Sequence, residues 1–307
     1  MLKEEKSLRI FWFWEEKRGK ERRKGLKYFK LISSFIYSEK LGRIIGIVSG
    51  KGGVGKTTLA INLGVVLAKN FKKNITIVDC NLTTSHLGLY LGMYYCPLTL
   101  NKVLRGDNSI EEAIYEHFSG IKVIPASLSL ADLEGIDILN LSEKVREISE
   151  INDIVFLDSS PGLGREAMGT LKACDEVIFI TTPFVPSVMD IIRCKEVCDE
   201  LGIKQIGIVL NQVSKEKYEM NSKEIEQLTR LPVIATIPYD KNVKKSLAIK
   251  TPLVIYKPNS KASKEFLKLG AFLIGEKYQE SSAFLRLIEK IRSKFKKREE
   301  ILFPQPI

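Results

Sequence analysis

One stretch of nine residues restricts this chain more than any other feature: Gly50-Lys51-Gly52-Gly53-Val54-Gly55-Lys56-Thr57-Thr58. From Gly50 to Thr57 it satisfies G-x-x-x-x-G-K-[S/T]. It lies between a short apolar run, residues 44–49, and a helical stretch from 56 to about 69. That strand–loop–helix placement is the context in which the pattern carries chemistry. Where glycine leaves room, successive backbone N–H groups can turn inward around phosphate oxygens, and the start of the helix adds partial positive charge. Lys56 is expected to reach the β- and γ-phosphates, with the Thr57 hydroxyl on Mg2+.

The rest of the pattern tells what surrounds that loop. Apolar runs recur at 75–78, 121–124, 154–157, 177–180, 206–210 and 233–237. They are too continuous for strands wetted on one face, and burial on both faces of a parallel sheet explains them. The intervening segments, for example 188–201 and 223–228, are long enough for crossover helices. Alternation of this kind predicts an α/β fold with a doubly wound, mostly parallel sheet.

Charge divides the chain further. The formal net charge is +11 over 307 residues. Residues 1–43 hold 13 basic and 6 acidic side chains, and residues 284–307 hold 7 and 3, so the middle sums to zero. We therefore expect a basic, aromatic extension over 1–42, a core domain over 43–280 and a basic tail over 281–307. The first segment is either an amphipathic surface element, with Leu26, Phe29, Ile32 and Ile36 at helical spacing, or sequence upstream of a start near Leu41. In the tail, Phe284, Leu287, Ile288, Ile291 and Phe295 share one helical face beside lysines and arginines, the composition of a helix lying in an anionic membrane interface. A helix packed on its own domain remains the alternative. No run approaches a membrane span. The five cysteines are scattered, with no C-x-x-C, which fits a reducing compartment.

Lys51 sharpens the reading. A general phosphate loop needs no lysine at its second position, and KGGVGKTT resembles the deviant Walker A motif of the MinD/ParA family of ATPases. The resemblance extends over about residues 43–275. Asp79-Cys80-Asn81 ends one predicted strand and looks like switch I. Asp158-Ser159-Ser160-Pro161-Gly162 ends another and looks like the Walker B and switch II segment. Asn211 resembles the adenine-contacting Asn, and the segment containing Pro238 and Asp240 resembles the loop closing over the base. The tract from Asp158 to Met168, ending SPGLGREAM, and the tract PLVIYKPNSKAS look most like the archaeal MinD-like branch.

That resemblance carries implications for fold, site and role. The implied fold is a P-loop NTPase of the SIMIBI type, and the implied cofactors are ATP and Mg2+. The P-loop from Gly50 to Thr58 holds the nucleotide, with Gly162, Asn211, Pro238 and Asp240 around it. Thr57, Asp79 and Asp158 serve the metal. Lys51, Lys56, Asn81 and Asp158 carry the chemistry, Lys51 by reaching across an ATP-dependent homodimer. The expected role is a nucleotide-gated spatial regulator of cell division or positioning. It would be cytoplasmic, peripheral on the inner face of the cell membrane, and stimulated by an unidentified protein partner. A partitioning ATPase that binds nucleic acid is the alternative, and an Mrp-type iron–sulfur carrier is disfavoured by the missing C-x-x-C. The family usually has Asp where Asn81 stands. An amide can bond water but cannot act as a carboxylate base, so slow turnover with intact binding is expected.

Overall fold

The computed structural model describes residues 42–276. The N-terminal extension, and the tail with its proposed amphipathic helix, lie outside the described residues. Within 42–276 an eight-stranded sheet runs in the order β3-β4-β2-β5-β1-β6-β7-β8. Its strands are β1 (Arg43–Val48), β2 (Ile75–Cys80), β3 (Tyr115–Glu116), β4 (Lys122–Ile124), β5 (Ile154–Ser159), β6 (Glu176–Thr181), β7 (Lys204–Val213) and β8 (Val233–Pro238). All neighbours pair parallel except β3 and β4.

Continuous apolar sequence gives strands buried on both faces, as in β2, β5 and β6, where every residue is buried. The reading fails at 233–237. There β8 alternates buried and half-buried residues, because it is the last strand of the sheet and has a neighbour on one side only. The two-residue antiparallel β3 was not anticipated. It is too short to leave a periodic signal, and it covers the opposite edge.

Ten helices flank the sheet among the described residues: α1 (Lys56–Phe71), α2 (Leu87–Leu91), α3 (Leu100–Arg105), α4 (Leu141–Ser149), α5 (Arg165–Ala173), α6 (Val185–Glu200), α7 (Ser222–Thr229), α8 (Lys241–Ala248), α9 (Leu253–Tyr256) and α10 (Lys261–Leu273). Two cores result, one on each face of the sheet. One joins Leu59, Leu63 and Leu67 of α1 to Leu253, Phe266 and Leu269 from α9 and α10. The other joins Leu104, Val145, Leu171, Ile191 and Ile225 from the helices of the opposite face. Each fully buried side chain of this size contributes roughly 1.5–3 kcal/mol. The central strands are thus held on both sides, and the loops that leave their C-terminal ends gather at one rim.

At the other end of the sheet, Arg43 fixes where the domain starts. Its Nε donates to Glu176 at 2.6 Å and its Nη1 to the Leu273 carbonyl at 2.7 Å. Lys204 also reaches Glu176, at 2.5 Å. These partners hold the Glu176 carboxyl below its ordinary value despite burial.

Candidate functional site

The loop after β1 is shaped by its glycines. Gly53 and Gly55 have φ of 78° and 103°, a region that side chains other than glycine's rarely occupy. A Cβ on Gly50 would lie 2.3 Å from the Asp190 Cβ of α6, so only glycine lets the loop pass that helix. Gly55 is the N-cap of α1 and supplies no side-chain acceptor. The N–H groups of the first turn therefore keep their capacity for an anion.

Lys56 is buried, and its Nζ donates to Ser49 Oγ at 2.7 Å. Ser49 in turn donates to the Lys51 carbonyl at 2.8 Å, so one hydroxyl ties the lysine to the loop. Burial lowers the Lys56 pKa, opposed by the nearby Asp158 carboxylate and the Cys194 thiol. Lys51 contrasts with it. Its side chain is exposed and has no hydrogen bond or ion pair among the described residues.

Two carboxylates face the loop from adjacent strands. Asp79 of β2 and Asp158 of β5 are register partners, and both are buried. Asp79 accepts from Ser85 Oγ at 2.7 Å, from the Asn81 amide at 3.1 Å and from the Leu87 amide at 3.3 Å. Asp158 takes a hydrogen bond from Thr57, but its Oδ1 is buried with no partner. Burial pushes both carboxyls up, Asp79 to about 6 and Asp158 to about 7, the latter helped by repulsion from Asp79. An orphaned buried carboxylate oxygen beside a threonine hydroxyl fits a divalent cation, whose oxygen ligands these groups could supply directly or through water. Such an ion would reverse the upward pressure on both acids.

The two segments read as switches follow β2 and β5. Gly162, at φ 78°, donates its amide to the Ser49 carbonyl at 2.9 Å, which seats the loop after β5 on the base of the P-loop. The Thr83 hydroxyl donates to Glu166 and so joins the loop after β2 to the first turn of α5. Asn81 departs from expectation. Its Nδ2 donates to the Thr84 carbonyl at 2.6 Å, and its Oδ1 accepts from the Thr84 hydroxyl at 3.0 Å. The amide is satisfied inside its own turn, not at the phosphate loop.

On the base side, Asn211 Nδ2 donates to the Val54 carbonyl at 2.7 Å, leaving Oδ1 and the second N–H for a ligand. Pro238 ends β8. Asp240 caps α8, its Oδ1 accepting the Asn242 amide at 2.8 Å. That capping role accounts for an acid at this position without any base. Ser49, Gln212 and Cys194 were not anticipated. Each is a single residue in an ordinary strand-end or helix context; Ser49 adjoins the loop in sequence, and the fold supplies the contacts that give all three a part there.

Comparison with known proteins places the chain in a family. Residues 45–253 match the CobQ/CobB/MinD/ParA nucleotide-binding domain. An uncharacterised ATP-binding protein of Methanocaldococcus jannaschii is 38% identical over 235 residues, covering 76% of this chain and 89% of that protein. The cell division ATPase MinD of Pyrococcus furiosus superposes with a TM-score of 0.74 at 32% identity, covering 76% of this chain and 99% of that one. The septum site-determining protein MinD of Pyrococcus horikoshii, solved with Mg-ADP, gives 0.73 at 31%, covering 76% and 96%. With the loop, the paired acids and the doubly wound sheet in their places, this chain belongs to the CobQ/CobB/MinD/ParA family, as an ATPase of the MinD/ParA type whose cofactors are ATP and Mg2+.

Proposed function

We propose that this ATPase forms an ATP-sandwiched homodimer and acts as a nucleotide-gated spatial regulator at an anionic membrane surface, turning over slowly. The P-loop from Gly50 to Thr58 cradles the phosphates and Lys56 neutralises them. Thr57 and Asp158, with Asp79 behind them, place Mg2+. Asn211 takes the base. The observation that carries the dimer is the contrast between the two loop lysines. Lys56 is buried on Ser49, whereas Lys51 stands exposed at the rim of the same site with no partner among the described residues. An exposed charge with no partner among the described residues is available to a second copy, where it would stabilise the triphosphate only after docking.

A surface feature supports the anionic partner. The near-zero net charge of the core conceals a segregation. Residues 241–268 hold eight lysines against one acid, Glu265, while the remainder of 42–276 holds 20 basic and 26 acidic residues. Lys241, Lys244 and Lys245 on α8 and Lys261 and Lys268 on α10 are exposed. This lysine-rich segment attracts lipid headgroups at about 1 kcal/mol per lysine. It favours a nucleic-acid backbone by the same electrostatics, so partitioning on nucleic acid stands as the second reading. Asn81, satisfied within its turn, supports slow hydrolysis.

Co-sedimentation tests the proposal. The full chain and Lys51→Ala are spun with anionic vesicles or with duplex DNA, in ADP and in a non-hydrolysable ATP analogue. Vesicle binding that needs the ATP state and Lys51 is the expected result. Salt-sensitive DNA binding without vesicle binding would transfer the role to the second reading. Binding to neither would sink both.

A further inference from the structure

The strand that carries Asn211 is irregular at that point. Leu210 pairs with Thr236 and Val213 with Pro238, so β7 holds one residue more than β8 over this interval. The extra residue makes a β-bulge, and Gln212 within it adopts φ 60°. That left-handed conformation is uncommon for a residue other than glycine. In a regular strand, consecutive side chains point to opposite faces. Here both point the same way. Asn211 Nδ2 donates to the Val54 carbonyl at 2.7 Å, and Gln212 Nε2 donates to the Gly53 carbonyl at 3.0 Å.

Those two carbonyls belong to successive peptide units of the phosphate loop. A trans peptide is planar, with its C=O and N–H on opposite sides. Drawing the Gly53 carbonyl toward β7 aims the Val54 N–H the other way, and drawing the Val54 carbonyl aims the Gly55 N–H the other way. We infer that Gln212 is a positioning residue of the ATPase reaction: the bulge turns it beside Asn211 so that two side-chain amides fix two consecutive peptide planes and hold their N–H groups toward the phosphates. The strained backbone of Gln212 is the local cost of that orientation.

The inference rests on ATP being the ligand of this loop, and its test separates the two claims. Gln212→Gly removes the amide and relieves the left-handed backbone. Gln212→Glu keeps length and backbone but sets a carboxylate oxygen against the Gly53 carbonyl. In the full-length chain, ATP affinity, kcat, KM and Tm without nucleotide are measured for both variants and the parent. For Gln212→Gly we expect an unchanged or raised Tm together with about fivefold weaker ATP binding, the value of one hydrogen bond, and a lower kcat. Gln212→Glu should lose more, about 20-fold. A merely structural role would lower Tm and activity together in the glycine variant, and that result overturns the inference. So does a glycine variant as active as the parent, or a glutamate variant equal to it. If the parent itself binds no ATP, the ligand assignment fails instead.

Discussion

Replacing Asp158 by Asn should make the nucleotide-free protein more stable while destroying its response to MgATP. Asp158 is 2% exposed, is a register partner of Asp79 and has an oxygen with no donor. Its carboxyl is raised from 3.8 to about 7. At ~1.4 kcal/mol per pH unit, that corresponds to roughly 4 kcal/mol lost from the folded state at high pH. The sign follows from the direction. A carboxyl whose folded pKa is raised contributes its full stability below 3.8 and loses it as pH climbs through about 7. Asn carries no charge to bury, and its NH2 can donate to the Asp79 carboxylate. Allowing for imperfect fit, the gain at pH 8 should be ~2–3 kcal/mol, or about 5–10 °C in Tm for a domain of this size. Thermal unfolding in EDTA at pH 5 and pH 8, with and without MgATP, measures it. The parent should be less stable at pH 8 than at pH 5, the variant should show a weaker dependence, and only the parent should gain on adding MgATP. A variant less stable than the parent at pH 8 in EDTA would refute the argument, as would a parent that gains stability between pH 5 and pH 8.

Other expectations rest on single contacts. Asn81→Asp places an acceptor against the Thr84 carbonyl, which should open the turn and free a carboxylate; steady-state kinetics should show kcat rising severalfold, and an unchanged kcat would mean position 81 does not face the attacking water. Gly207→Ala should cost roughly 3 kcal/mol in a denaturant titration, because Gly207 has φ 148° and a Cβ there would lie 2.6 Å from the Pro232 carbonyl oxygen. Reversing Lys241, Lys244 and Lys245 to Glu should weaken binding to anionic vesicles at least tenfold at low salt and leave ATPase turnover unchanged; equal binding would remove this face from the interaction.

The fold and the centre of the candidate site were legible because both are written in local pattern. Buried parallel strands need unbroken apolar runs, and a phosphate loop needs glycines and a lysine at fixed spacing, so residues 44–58 announced themselves. Asp79, Asp158 and Asn211 stood out as candidates because each closes such a run. What escaped depends on contacts between distant segments. Ser49 matters only because Lys56 folds back onto it, and nothing marks it before Gly50. Gln212 matters because one inserted residue reverses the side of the strand it faces, a shift that alternation cannot reveal. Asn81 occupies the expected place, yet Thr84, three residues on, captures its amide. The lysine-rich segment 241–268 was hidden by summing charge over the whole middle of the chain at once.

The clasp between Arg43 and the Leu273 carbonyl has a mechanical consequence. It brings the first strand and the end of the last described helix together at the N-terminal edge of the sheet, opposite the nucleotide rim. A pull applied through the chain before Arg43 and after Leu273 enters the domain at one spot. Force transmitted between those two points closes on itself through the clasp and need not cross the sheet. Tension on that end of the molecule therefore need not reach the phosphate loop at the opposite rim.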